Sequence, residues 1–236
     1  LILLFLCSSQ QNAASYAVSA LILTLFILLG IAMTFLSSYL LSATVLRGVS
    51  SSFTLEMPPY RRPQIGKVIL RSVTDRTLFV LGRAAAVAAP AGLILWLLAN
   101  VSSGGISLLS RISLILDPLG RLLGMDGVIL TAFILGLPAN EIVLPIILMA
   151  YTAQGNLTGY SSTLQLKQIL TANGWTWTTA VCVMLFSLMH WPCSTTCLTI
   201  GKETKSAKWT LLSIAIPTGI GMAVCFLVAS AARLLG

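Results

Sequence analysis

The sequence predicts an all-α fold, a polytopic helical membrane protein whose helices are broken at prolines. Three observations predict it. Of 236 residues, 57% are hydrophobic and 8% charged, with a mean hydropathy of +0.95; a soluble domain is about 45–50% apolar and about 25% charged. The apolar residues run in long unbroken blocks, whereas a membrane barrel shows alternating strands of about 10 residues. Two of the blocks are interrupted by proline with polar neighbours, at Pro138 and Pro192. This composition excludes a soluble enzyme, a disordered chain and a disulfide-stapled secreted domain.

The elements follow in order. The chain opens at Leu1 inside an apolar run with no charged region ahead of it, unlike a signal peptide; further sequence is expected to precede it. The first span covers about residues 17–46, carries no charge until its end, and is long enough to cross about 30 Å of hydrocarbon. Residues 47–83 form a basic connector, with Arg47, Arg61, Arg62, Lys67, Arg71, Arg76 and Arg83 against Glu56 and Asp75. Cytoplasmic loops collect such charge. Its EMPPYRRP stretch is not helical throughout, because each proline restricts the residue before it. From Ile65 onward Val68, Ile69, Val73 and Leu78 fall near helical spacing, which fits a helix lying in the membrane interface or a lever touching a cytoplasmic partner.

The second span is expected over 77–101, with Pro90 inside it, and residues 102–126 read as a connector containing DPLGRLLGMDG. The third span, 127–151, is interrupted at GLPANE and again at Pro145. A polar linker over 152–173 leads to Trp175 and Trp177, read as interface anchors. The fourth span runs to His190, breaks at Trp191-Pro192-Cys193 and resumes to Ile200; GKETKSAK and a last span over 209–234 complete the chain. If every span crosses once, the two basic segments fall on opposite sides. A re-entrant pair of half-helices at either broken segment restores the parity, and such backbone is tolerated where protein or water covers it.

The net charge is +8, from 14 Lys+Arg against 6 Asp+Glu. Loop charge of a membrane protein accounts for it, and no aromatic-interleaved basic patch points to nucleic acid. The five cysteines, Cys7, Cys182, Cys193, Cys197 and Cys225, are odd in number and suggest small apolar packing residues more than a disulfide framework. No G-x-x-x-x-G-K-[ST], H-E-x-x-H or G-x-S-x-G motif is present.

Chemistry concentrates at the two breaks. One carries Pro138, Asn140 and Glu141; the other carries His190, Pro192, Cys193, Ser194, Thr195, Thr196 and Cys197. Paired discontinuous helices are the best sequence pointer to a transporter site. A carboxylate such as Glu141 inside an apolar span costs about 2.5–3.5 kcal/mol, so it is expected to have a partner, an ion or water; the plainer reading is a hydrogen-bonded packing residue. Cys193 and Cys197, four apart, share a helical face, with His190 beside them. Thiolate and imidazole suit transition metals, while Mg²⁺ and Ca²⁺ favour oxygen. Simple packing of small residues competes with that reading on spacing alone.

EMPPYRRPQIGKVILRSVTDRT, DPLGRLLGMDG, GLPANEIV and HWPCSTTCLTIGKETKSAKWT, in that order, resemble the membrane part of the bacterial ferrous iron transport protein B family, over nearly the whole chain. The resemblance implies gate-type repeats, each with a cysteine-bearing proline motif. Here the second is Pro192-Cys193, so Cys193 is carried over as the metal-contacting residue; the first is expected ahead of Leu1, and Cys7 lacks the preceding proline. GLPANE carries over Glu141, with Asn140 where many members have lysine; His190 and Cys197 rest on spacing. The implied division is 1–46 as the end of the first gate repeat with a transmembrane helix, 47–83 as the basic cytoplasmic connector, and 84–236 as the second gate repeat with the terminal helices.

The implied function is a ferrous iron permease, the membrane-spanning part of a GTP-dependent Fe²⁺ transporter in the bacterial cytoplasmic membrane. Fe²⁺ is its substrate, and no tightly bound cofactor or enzymatic activity is implied for this chain. GTP acts only through an amino-terminal GTP-binding domain expected outside this sequence. Partners are the lipid bilayer, that domain and small accessory ferrous-transport proteins; homo-oligomerisation stays open. Two alternatives are a gate-type transporter of nucleosides or other small solutes, and a non-transporting membrane anchor subunit. Ligand type does not separate Fe²⁺ from Mn²⁺ or Zn²⁺.

Overall fold

A computed structural model describes residues 13–44, 65–71, 74, 77–103, 105–152 and 163–235. Cys7, the EMPPYRRP stretch with its arginines, and residues 153–162 of the polar linker therefore lie outside the described residues. What is described is helical apart from one two-residue ribbon pair, β1 (Ser102–Ser103) against β2 (Ile106–Ser107), in line with the all-α expectation.

Helix α1 (Ala13–Thr44) holds no charged residue and exposes Leu21, Leu25, Phe35 and Tyr39 along its length. Apolar side chains left outside in this way suit lipid as solvent. Helix α2 (Ile65–Arg71) begins where the connector's apolar spacing places it, with Lys67, Leu70 and Arg71 exposed. Helix α3 (Phe79–Asn100) matches the second expected span and passes through Pro90 without ending.

The core belongs to the second half of the chain. Helices α4 (Leu108–Leu122), α5 (Gly127–Leu135), α6 (Val143–Thr152), α7 (Thr163–Ala172), α8 (Trp177–Met189), α9 (Ser194–Thr204) and α10 (Ala207–Leu235) build it. Helix α5, GVILTAFIL, is apolar on every face and is the centre: Ile129, Ala132 and Phe133 are at most 1% exposed. Ile146, Ile147, Leu170, Ala180, Cys182, Phe186 and Cys225 close around it. Cys182 and Cys225 sit where α8 crosses α10, each thiol directed at the other's backbone carbonyl. They are free thiols used as packing residues, as are the expectations for buried cysteine.

Among the described residues three helical stretches are long and apolar enough to cross a membrane: Tyr16–Ala43, Trp177–Thr204 (α8 and α9 across their break) and Ala207–Leu234. A fourth crossing is available if α4 and α5, bent by 110° at their junction, count as one span. The chain is a multi-pass helical membrane protein.

Residues 102–126 depart from the expected connector. They fold mostly as the amphipathic helix α4, which doubles back on α5. DPLGRLLGMDG supplies the reason. Gly124 takes φ +74, a left-handed turn conformation that glycine adopts without steric cost. Gly127 lets the helices touch, since a Cβ there would lie 1.8 Å from the Ser113 carbonyl oxygen. The Asp117 Oδ1 accepts from Gly127 N at 3.2 Å, and Asp126 Oδ1 caps α5 by accepting from Ile129 N at 2.7 Å. Among the described residues a bend of 110° thus falls ahead of both proline breaks, at a segment the sequence reads as a connector. Trp175 also differs from expectation. It is 3% exposed and its Nε1–H donates to the Tyr151 hydroxyl at 2.9 Å, whereas Trp177 is 56% exposed and remains free to sit at an interface.

Candidate functional site

The two proline breaks meet. After α5, Gly136, Leu137 and Pro138 turn the chain, and Asn140–Ile142 form a single 3-10 turn before α6 starts at Val143. After α8, His190 to Cys193 are extended, and α9 starts at Ser194. Pro192 has no N–H with which to continue α8. The first amide of α9, Ser194 N, donates instead to Leu137 O at 2.9 Å, joining the second break to the first. Helix ends leave backbone groups unpaired, and at membrane depth these persist only under protein or water.

Cys193 is the residue just before α9 and is half-buried. Its Sγ lies 3.1 Å from both Thr195 Oγ1 and Thr196 Oγ1. One turn further on, the Cys197 thiol points back to Pro192 O at 3.4 Å. The two thiols therefore occupy one end of α9, Cys193 just outside the helix and Cys197 in its first turn.

His190 is 9% exposed and packs among rings. Its imidazole lies 5.2 Å from the Phe133 ring, 6.0 Å from Phe186 and 5.8 Å from Trp191, centre to centre. Its Nδ1 is 3.0 Å from Ser187 O. Three buried polar atoms at this break have no hydrogen-bond partner: His190 Nε2, Trp191 Nε1 and Ser194 Oγ. Buried polar groups are nearly always paired, so three within five residues mark an unusual place.

Glu141 stands in the 3-10 turn of the other break with its side chain exposed, as is that of Asn140; Pro138 is half-buried. The carboxylate expected deep in an apolar span is thus at the unwound edge of the bundle. Among the described residues no group of three or more His, Cys, Asp and Glu side chains converges as a metal cage. His190, Cys193 and Cys197 share one break and Glu141 the other, with the Ser194–Leu137 bond between the two segments.

Sequence reasoning missed the aromatic wall and a second polar network. Phe133 and Phe186 come from α5 and α8, and a ring pair 4.8 Å apart across two helices leaves no trace in local spacing. Asp126, Tyr151 and Trp175 form a chain in which Trp175 donates to Tyr151 and the Tyr151 hydroxyl donates to Asp126 Oδ2. Asp126 before an apolar helix carries a legible cap signal; its partners do not. Beside the second break, where Leu188 and Met189 end α8, the helices α1, α8 and α10 enclose a groove of about 400 Å³, apolar but for Thr34, Ser37, Ser38 and Ser213.

Broken apolar helices meeting inside a bundle make the chain a multi-pass membrane protein of the discontinuous-helix class. A family profile described as "Nucleoside recognition", the Gate family, matches residues 81–207, and one described as "Ferrous iron transport protein B C terminus" matches residues 23–75. The chain is similar to the Fe(2+) transporter FeoB of Staphylococcus aureus strain COL, 30% identical over 209 residues, covering 84% of this chain and 29% of that protein. It is 28% identical over 192 residues to the Fe(2+) transporter FeoB of a Synechocystis strain, covering 78% and 30%. The Methanocaldococcus jannaschii Fe(2+) transporter FeoB is 23% identical over 222 residues, covering 88% and 31%. The chain spans about three tenths of the length of these curated relatives. No solved structure matches it. The chain belongs to the ferrous iron transport protein B family, as a membrane part with the C-terminal and Gate domains of that family.

Proposed function

We propose that this chain is the ion-conducting membrane part of a ferrous iron permease, and that Fe²⁺ passes where the two proline breaks meet. The observation that carries this reading is the Ser194 N to Leu137 O bond, which brings two interrupted helices together beside Cys193. Cys193 is the residue proposed to contact the ion, with His190 and Cys197 on its own segment and Glu141 at the mouth of the other. Thr195 and Thr196 hydroxyls hold the Cys193 sulfur at the start of α9. A conducting site must bind strongly enough to admit an ion and weakly enough to release it. One thiol with dispersed helpers fits that requirement better than a closed four-ligand cage, which is the geometry of a structural metal site.

The reading extends to the setting that the sequence resemblance implies: a bacterial cytoplasmic membrane, an amino-terminal GTP-binding domain supplying the GTP dependence, and accessory ferrous-transport proteins. The test is anaerobic uptake of radiolabelled Fe²⁺ into bacteria lacking their own ferrous transport. The reading frame is expressed with whatever sequence precedes Leu1, as wild type and as Cys193→Ser, at matched membrane levels. Uptake falls on the order of tenfold or more in the variant, as for loss of a metal-contacting group. Wild-type uptake in Cys193→Ser makes that thiol a packing residue and overturns the assignment.

A second reading keeps one observation in its favour. The groove of about 400 Å³ between α1, α8 and α10 is within the size of small-solute pockets. Gate-type transport of a nucleoside or similar solute predicts solute uptake that is independent of Fe²⁺.

A further inference from the structure

The single histidine of this chain is held in one tautomer, and the consequence reaches the ion path. Ser187 O is a carbonyl and only accepts, so the contact at 3.0 Å requires His190 Nδ1 to carry the proton. In the neutral ring the proton on Nδ1 leaves Nε2 with a bare lone pair. That nitrogen is buried and has no hydrogen-bond partner. An imidazole whose far nitrogen donates to a backbone carbonyl is the usual arrangement around metal-bound histidine, because the outer bond fixes both tautomer and ring orientation. Phe133, Phe186 and Trp191 surround the ring and offer no oxygen ligands. Cys193, three residues on, brings a sulfur to the same unwound segment.

We propose that His190, with its Nε2 lone pair preset by the Ser187 carbonyl, is a selectivity-determining ligand at the break. It takes divalent transition metals and passes over Mg²⁺ and Ca²⁺. A nitrogen in an aromatic box recovers little of the hydration that a hard ion gives up, whereas imidazole binds Fe²⁺ and Zn²⁺ well. The inference deepens the permease reading and rests on it for the direction of ion flow, but not for binding.

Because His190 is the only histidine, protein labelled with ¹⁵N-histidine reports this ring alone. The chain in lipid nanodiscs is examined by long-range ¹H–¹⁵N correlation, first without metal, then with Zn²⁺ as a diamagnetic probe, then with Mg²⁺. The expected spectrum has a protonated Nδ1 and a bare Nε2; Zn²⁺ moves Nε2 and leaves the Nδ1 proton in place, and Mg²⁺ moves neither. A ring protonated on Nε2, or an Nε2 signal indifferent to Zn²⁺, overturns the proposal. Equilibrium dialysis of His190→Gln supplies the second measurement, with Zn²⁺ affinity reduced on the order of 10–100-fold. Unchanged Zn²⁺ affinity in that variant also overturns it. The two readings separate cleanly. A shifted Nε2 with unimpaired Cys193→Ser uptake supports this ligand and sinks the conduction route, and an indifferent Nε2 with lost uptake does the reverse.

Discussion

Two regions of this chain gather polar side chains inside an apolar bundle and treat them in opposite ways. At the α4–α5 hairpin every group named has a partner. Asp126 caps α5 and receives the Tyr151 hydroxyl, Trp175 donates to Tyr151, Asp117 holds both Gly127 N and Arg121, and Ser113 donates to the Thr131 hydroxyl at 3.2 Å. At the His190–Ser194 break three buried polar atoms have none. A buried polar group left unpaired costs about 1–3 kcal/mol. The difference teaches which of them is built for stability. A satisfied network rigidifies, and an unsatisfied one persists where something other than the resting fold uses it.

Gly127→Ala gives the largest expected effect. Its Cβ would sit 1.8 Å from Ser113 O and 2.7 Å from Asp117 N, both backbone atoms that move only if the hairpin opens. Overpacking of this kind costs about 1–3 kcal/mol and at times more. The variant is expected to lose folded, monodisperse protein on size exclusion in detergent; a normal profile with an unchanged melting temperature would show that the hairpin is not the rigid region.

Tyr151→Phe comes next. It removes the hydroxyl that joins Trp175 to Asp126, at about 1–2 kcal/mol. Thermal unfolding in nanodiscs should register a clear drop in melting temperature while metal binding is kept. Equal stability would mean that water replaces the hydroxyl and that the contrast between the regions is weaker than described.

The smallest effect is expected from Ser194→Ala. Its Oγ has no partner to lose, so stability should stay within about 0.5 kcal/mol of wild type. A loss comparable to that of Tyr151→Phe would erase the distinction on which the comparison rests.

The sequence carried the breaks more clearly than the hairpin. Pro138 and Pro192 are read without coordinates, because proline lacks the N–H and restricts its predecessor. The spacing of Cys193 and Cys197 suggested a shared helical face, whereas Cys193 stands just outside α9 in extended backbone. DPLGRLLGMDG was visible as a motif yet read as a connector, since the close approach that Gly127 permits involves a backbone atom 14 residues earlier in the chain and has no periodic signature. Trp175 was read as an interface anchor because tryptophans flanking apolar spans favour interfaces. Its burial depends on Tyr151, 24 residues away.

By itself the sequence determined the membrane class, the all-α fold and the two proline breaks, because hydropathy, helical period and proline chemistry are local properties. The tertiary structure decided which break touches which, which carbonyl the lone histidine's ring faces and which polar groups are left without partners. Those facts depend on distances between segments remote in sequence, such as Ser194 and Leu137, and on how the helices between them pack.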